Sequence, residues 1–212
     1  MAVSDRAGMP ANGLSRRSLL CGSAIATAGT AVIDVAPALV WPVEAAEGSG
    51  PPVVGPGSVP MTLTINGVAR MIHVEPRTTL AEALRGQLGL TGTKVACNRG
   101  ACSACTVWLD HVPVLSCMTL AIDAGARHVT TIEALAAGGT LHPVQEAFIA
   151  HDALQCGFCT PGMVMSCAAL LERTPDPTAE DVQNAISGHL CRCGTYPHVI
   201  AATLAAAKAR KG

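Results

Sequence analysis

Aromatic and charged side chains are scarce in this sequence. Of 212 residues, 2% are aromatic and 14% are charged. The 14 basic and 15 acidic residues leave a formal charge of −1, which argues against a nucleic-acid partner. With few aromatic residues, the core has to be built from small side chains, and such a core often needs a metal or a disulfide to stabilise it. The sequence also lacks a G-x-G-x-x-G pattern, a Ser-His-Asp set and paired catalytic carboxylates, so we expect no catalytic residues in this chain.

Cysteine, by contrast, is abundant, with 10 residues. One group lies in the stretch CNRGACSACTVWLDHVPVLSC, residues 97–117. Its spacing is the plant-type C-x4-C-x2-C pattern with a distant fourth cysteine, which is typical of a [2Fe-2S] cluster. Such a cluster needs two thiolates on each iron, and Gly100 gives the loop access to positive φ close to the core. The predicted ligands of this first cluster are Cys97, Cys102, Cys105 and Cys117.

Zinc and disulfides are the alternatives for these four cysteines. Zinc ribbons usually place two C-x2-C knuckles far apart, whereas three of these cysteines share one tight loop. Disulfides are typical of exported proteins, which meet an oxidising environment. The weight of that alternative therefore depends on how the protein is exported.

The N-terminus resembles a twin-arginine export signal. Arg16 and Arg17 precede an apolar run from Leu19 to Ile33, which is short for a membrane-spanning helix and suits a signal-peptide core. Small residues suited to cleavage follow, so residues 1–45 are predicted to be the signal.

This route carries folded, cofactor-loaded proteins, so clusters inserted in the cytosol would protect the thiolates during transit. We therefore expect a periplasmic protein with no membrane span in its mature form. Cys21 leaves a lipoprotein as an alternative. Lipoprotein processing requires a small residue before the cysteine, however, and the bulky Leu20 stands there.

The part after the signal is predicted to be an α+β fold. Residues 46–60 are rich in Gly, Pro and Ser and are typical of a flexible linker, so the folded part is expected from Met61. Asn66-Gly67 predicts a β-hairpin, and Thr79 with Glu82 forms a capping box at a helix start. Strands are expected near 106–110, 112–117 and 128–132, within a first domain at 61–136.

The second domain, residues 137–212, is predicted to be helical. A helix, a cysteine pair and a proline-started helix occur twice, with CGFCTPG (156–162) and CRCGTYP (191–197) between the helices. This pattern predicts four helices with rough two-fold symmetry. Both cysteine pairs then precede helix N-termini, which favour anionic groups. The expected helices are 143–150, 161–173, 179–188 and 198–210.

Spacing alone leaves zinc open for Cys156, Cys159, Cys191 and Cys193. The loops CNRGACSACTV, QCGFCTPGM and GHLCRCGTYPHV together, however, resemble the small iron–sulfur subunit of the xanthine dehydrogenase and aldehyde oxidoreductase family of molybdenum hydroxylases. The resemblance covers residues 61 to about 210.

The resemblance implies a β-grasp ferredoxin-like domain followed by a four-helix domain, each holding one [2Fe-2S] cluster. The ligands of the second cluster would be Cys156, Cys159, Cys191 and Cys193. A separate large subunit would hold a molybdopterin cofactor that Gln155 and Cys193 approach, and a medium subunit with FAD, or another acceptor, would take electrons from the first cluster. The chain would then be a non-catalytic electron-transfer subunit of a complex that oxidises aldehydes or N-heterocycles.

One residue departs from the family pattern, because Ser103 stands where the family usually has glycine. A side chain at positive φ would cost roughly 1–2 kcal/mol, which a bond from the hydroxyl to a cluster sulfur could offset.

Cys167 lies inside a predicted helix and is expected to be a small buried residue. The scattered histidines are not assigned to metal. The rival functions are a free-standing ferredoxin-like carrier and a structural zinc or disulfide protein.

Overall fold

The computed structural model describes residues 55–136 and 138–210. The predicted export signal, including Arg16 and Arg17, and most of the predicted linker lie outside these residues. Among the helices described, none is both long and apolar enough to cross a membrane.

A five-stranded mixed sheet forms the first part of the fold. Its spatial order is β2-β1-β5-β3-β4. Strands β1 and β5 run parallel, and the other neighbouring strands are antiparallel. This sheet with its short helices is the predicted α+β, ferredoxin-like arrangement. The strands are β1 (Val59–Ile65), β2 (Val68–Val74), β3 (Thr106–Leu109), β4 (Val112–Leu115) and β5 (His128–Thr130).

The first hairpin forms where the sequence predicts it. Asn66 and Gly67 have φ values of 53° and 79°, as the two central residues of a type I′ turn require. Strand β1 begins at Val59 rather than at the expected Met61, because Val59 already pairs with Val74 across the hairpin.

A short helix lies against the sheet, and its start is the predicted capping box. Glu82 N donates to Thr79 Oγ1 at 3.2 Å, and Thr79 N donates to Glu82 Oε2 at 2.9 Å. Helix α1 (Leu80–Glu82) then widens into a π-helical turn, Ala83–Gln87. Helix α2 (Ala121–Ala124) was not predicted, because no side chain caps its start.

The four predicted helices of the second part are present. Proline lies in the first turn of three of them, and Thr178 caps the fourth with a capping box. Four boundaries differ from the prediction by one or two residues. The helix expected from 161 begins at Thr160, the helix expected to 188 ends at Ile186, and the helix expected at 198–210 runs from Tyr196 to Ala209. The helices are α3 (Pro143–Ala150), α4 (Thr160–Arg173), α5 (Ala179–Ile186) and α6 (Tyr196–Ala209).

Trp108 of β3 joins the sheet to the helices. It belongs to the same buried cluster as Phe148, Met163 and Val199 of the helical part. Its indole Nε1 donates to the Met165 carbonyl at 2.9 Å, and this hydrogen bond is buried. The sheet and the helices are therefore held against each other through a shared core.

Candidate metal centres

The first cysteine loop precedes β3 and is tightly curved. Asn98, Gly100 and Ser103 all have positive φ, at 51°, 72° and 54°. This curvature directs backbone N–H groups at the first sulfur. Cys97 Sγ accepts from Arg99 N at 3.4 Å and from Ala101 N at 3.3 Å. A metal-bound thiolate carries negative charge, so N–H donors at this sulfur suit such a ligand.

The four predicted ligands of the first centre make their thiol contacts in two pairs. The backbone N–H of Arg99 and then the thiol of Cys102 lower the pKa of Cys97 to about 7. Burial raises the pKa of Cys105 to about 11, and its thiol also bonds to that of Cys117. Only two residues of chain separate the two pairs. The structure thus brings all four cysteines into one small region.

The second cysteine set lies at the starts of two helices, as predicted. Cys156 and Cys159 precede α4, and Cys191 and Cys193 precede α6. Burial, and then the bond to the Cys191 thiol, raise the pKa of Cys159 to about 12, with a further contribution from Cys156.

Cys191 is the low-pKa member of the second set. Burial raises the pKa of this thiol, but hydrogen bonds outweigh burial and bring the pKa to about 7. Their partners are the Thr195 hydroxyl and backbone, the Cys159 thiol and the Cys193 N–H. The Cys191 thiol therefore contacts both the Cys159 thiol and the backbone N–H of Cys193.

Tyr196 holds this second loop, and sequence reasoning missed that role. Its hydroxyl accepts from Cys191 N at 2.8 Å and donates to the His189 carbonyl at 2.9 Å. His189 is itself buried and bonds through Nε2 to Ser166 Oγ at 2.7 Å. Tyr196 is the single tyrosine of the sequence, and its place three residues after the CRC motif was the available signal.

Pairing of thiols in both cysteine sets matches the ligand arrangement of a two-iron cluster. All nine cysteines among the described residues are free thiols. Within residues 55–136 and 138–210, no three His, Cys, Asp or Glu side chains are grouped as one metal ion requires. Three pairs of thiols are in contact, Cys97 with Cys102, Cys105 with Cys117 and Cys159 with Cys191, and two thiolates on each iron is the arrangement of a [2Fe-2S] core.

The two cysteine loops contact each other directly. Leu190 N donates to the Cys102 carbonyl at 3.2 Å. Leu190 precedes Cys191 of the second set, and Cys102 belongs to the first set, so this bond joins the two sets. Gly162, in the first turn of α4, packs against the first loop so closely that an added Cβ would lie 2.4 Å from the Ser103 carbonyl oxygen. The structure thus places the two candidate centres side by side.

Ser103 confirms one expectation and corrects another. Its φ is +54°, so this position does need the conformation that glycine favours. The hydroxyl, however, donates to the Gly188 carbonyl at 2.9 Å and not to a cysteine sulfur. The one proton of the hydroxyl is thus donated to a backbone carbonyl of the segment that leads to the second loop.

Three further residues were singled out in the sequence: Cys167, Gln155 and Cys193. Cys167 is fully buried, as predicted, and contacts the Thr203 hydroxyl. Gln155 is exposed and Cys193 is half-buried. Their predicted approach to a pterin stays a prediction.

Comparisons with known proteins agree with both centres. Residues 63–128 match the family described as 2Fe-2S iron-sulfur cluster binding domain, and residues 131–204 match the [2Fe-2S] binding domain family. The first match holds the first cysteine set, and the second match holds the other set.

Individual relatives are similar over most of their length. The chain is 39% identical to the aldehyde oxidoreductase iron-sulfur-binding subunit PaoA of Escherichia coli (strain K12), over 89% of this chain and 86% of that protein. It is 47% identical to the nicotine 6-hydroxylase small subunit of Paenarthrobacter nicotinovorans, over 69% and 88%.

Solved structures show the same fold. Quinoline 2-oxidoreductase from Pseudomonas putida 86 has a chain with a TM-score of 0.70 and 44% identity, covering 73% of this chain and 98% of that one. The aldehyde oxidoreductase from Desulfovibrio gigas gives a TM-score of 0.69 and 38% identity over 73% of this chain, but only 17% of its own longer chain. The chain therefore belongs to the family of [2Fe-2S] iron–sulfur subunits of oxidoreductases.

Proposed function

We propose that this protein is the electron-transfer subunit of a molybdenum-containing complex that oxidises aldehydes or N-heterocycles. The observation that carries the electron-transfer role is the direct bond between the two cysteine loops, from Leu190 N to the Cys102 carbonyl at 3.2 Å. Two redox centres joined in this way form a relay, whereas a site that only stabilises the fold has no need of a second site against it. The molybdenum complex is what the resemblance of the cysteine loops implies, and the substrate class follows the relatives named above.

The chain's own residues supply the ligands and the surrounding hydrogen bonds. Each cluster, when bound, would supply a centre that accepts and releases one electron at a time. Backbone N–H groups at Cys97 and the Tyr196 hydroxyl at Cys191 hold two of the thiolate positions. The first set of ligands is Cys97, Cys102, Cys105 and Cys117, and the second is Cys156, Cys159, Cys191 and Cys193.

A two-fold relation between the helix pairs is part of the proposal. Helices α3 and α5 each have 8 residues, and α4 and α6 each have 14. Each short helix is followed by a cysteine pair and then by a long helix with proline in its first turn. This repeated order supports rough two-fold symmetry around the second centre.

A large molybdopterin-binding subunit is the proposed partner at the second centre. Phe158 lies between Cys156 and Cys159 and is 47% exposed, and Leu190 precedes Cys191 and is 60% exposed. Exposed apolar side chains beside ligands of the same set are typical of a surface that another protein covers. Gln155 and Cys193 would then approach the pterin, and an FAD-binding subunit or another acceptor would contact the first centre.

Co-purification tests this assignment. A tagged chain isolated from cells that make the whole complex is expected to bring a large subunit and molybdenum with it. Leu190→Asp should lose both, because it adds a charge to the apolar surface, while still binding iron. Met71→Asp is the matched control, because Met71 is 73% exposed on β2, outside the proposed interface. If the wild-type protein retains iron but brings no molybdenum subunit, it is a free-standing carrier and the proposal is wrong.

Export by the twin-arginine route is a separate proposal, supported by the pair Arg16 and Arg17 before an apolar run. Changing both to lysine keeps the charge and should abolish export, because such signals are recognised by a receptor and not by net charge. The loaded protein should then accumulate in the cytosol, as cell fractionation would show. Arg6→Lys is the control and should be exported normally. Normal periplasmic delivery of the double variant would contradict the proposal.

A further inference from the structure

Ser103 occupies a position where the backbone conformation favours glycine over serine. It lies between Cys102 and Cys105 with a φ of +54°, which glycine adopts without strain and serine does not. What the serine adds is one hydroxyl. That hydroxyl donates to the Gly188 carbonyl at 2.9 Å, across 85 residues of sequence.

The acceptor belongs to a segment that leads directly to the second cysteine set. Leu190 N donates to the Cys102 carbonyl, so the Ser103 bond and the Leu190 bond lie side by side between the two loops. Further along, the Tyr196 hydroxyl bonds both the His189 carbonyl and Cys191 N. A shift at Gly188 would therefore pass along this hydrogen-bonded segment to Cys191.

The space around the contact leaves little freedom. A Cβ added at Gly188 would lie 3.2 Å from Ser103 Oγ, so the two loops already touch at this point. A hydroxyl has one proton to donate, and here the Gly188 carbonyl receives it. Ser103 therefore acts on the other loop and not on the sulfurs of its own loop.

We propose that Ser103 is a positioning residue that fixes the second cysteine loop against the first and so sets the coupling between the two centres. This inference rests on the proposed function, because it assumes a cluster in each loop. Both the magnetic interaction and the electron exchange between two such centres weaken steeply as their separation grows. A hydrogen bond that fixes the separation thus affects both quantities.

Two substitutions separate the hydroxyl from the backbone strain. Ser103→Ala removes the hydroxyl and keeps a side chain at positive φ, whereas Ser103→Gly removes both the hydroxyl and the strain. Ser187→Ala is the matched control, because the Ser187 hydroxyl bonds to Asn184 O, at 2.9 Å, within its own segment. All three variants are expected to retain the iron of the wild-type protein.

The readouts are the splitting between the two EPR signals of the reduced protein and the hydrogen exchange of the Leu190 and Cys191 amides. Both Ser103 variants should show weaker splitting and roughly 2- to 10-fold faster exchange, as the loss of one hydrogen bond predicts. Ser187→Ala should match the wild-type protein in both measurements.

Unchanged splitting and exchange in both Ser103 variants would overturn the proposal. A change in Ser103→Ala alone would also overturn it, because the hydroxyl would then serve only to offset the backbone strain that glycine avoids. An equal change in Ser187→Ala would overturn it as well. A wild-type protein without iron would instead contradict the proposed function, and amide exchange would still test the hydrogen bond by itself.

Discussion

Cys102→Ser and Cys193→Ser are each expected to remove about half of the iron and one of the two EPR signals, and the lost signal should differ between them. The reason is that the cysteines form two separate ligand sets, and a [2Fe-2S] core needs all four of its thiolates. The hydrogen bond between the loops uses the Cys102 carbonyl, which the substitution leaves in place. Iron analysis and EPR spectroscopy of the reduced variants check the result.

Cys167→Ser is the control for these substitutions. Cys167 is fully buried in α4 and contacts the Thr203 hydroxyl, so a serine there could bond to the same partner. It should keep all of the iron and both signals. If Cys167→Ser also loses half of the iron, the two ligand sets are assigned wrongly.

The same two variants test the order of electron flow that we propose. In rapid mixing of the assembled complex with an aldehyde, Cys102→Ser should give the signal of the second centre at the wild-type rate and then stop. Cys193→Ser should give neither signal at the normal rate, because the second centre lies next to the proposed large subunit. Fast reduction at the first centre in Cys193→Ser would mean that the order is reversed.

Gly162→Ala is expected to destabilise the protein and to disturb the contact between the loops. The new Cβ would lie 2.4 Å from the Ser103 carbonyl oxygen and 3.1 Å from that of Ala104. These are backbone atoms, so no side chain can move aside. Overpacking of this kind costs about 1–3 kcal/mol. The thermal midpoint should fall by roughly 2–12 °C, as calorimetry of the loaded protein would measure.

Gly86→Ala is the matched control for this effect. Gly86 lies in the π-helical turn after α1, and an added Cβ there would meet nothing within 4 Å. Alanine is favoured over glycine in helices by about 1 kcal/mol, so this variant should be as stable as the wild-type protein or more so. A Gly162→Ala protein with equal or higher stability would show that the loops can separate without cost.

The local features of the fold were predictable because their causes lie close together in the sequence. The Asn66-Gly67 turn, the Thr79 capping box and the prolines of the helical part each act over a few residues, and the structure confirms them. The cysteine spacings are also local, since one tight loop carries three of the four thiols of the first set.

The contacts between distant segments were not predictable in the same way. Trp108 donates to the Met165 carbonyl, and Ser103 donates to the Gly188 carbonyl, across 57 and 85 residues of sequence. Nothing in the spacing of these residues indicates which backbone carbonyl each will reach. The π-helical turn after α1 was missed as well, because its sequence has ordinary helical periodicity.

The measurement that tests the central claim most directly is the iron, acid-labile sulfide and zinc content of the purified full-length protein. Two [2Fe-2S] clusters predict about four irons and about four sulfides per chain, with no stoichiometric zinc. The protein should be red-brown and should give two distinguishable EPR signals after reduction. A folded protein with stoichiometric zinc and no iron would contradict the account.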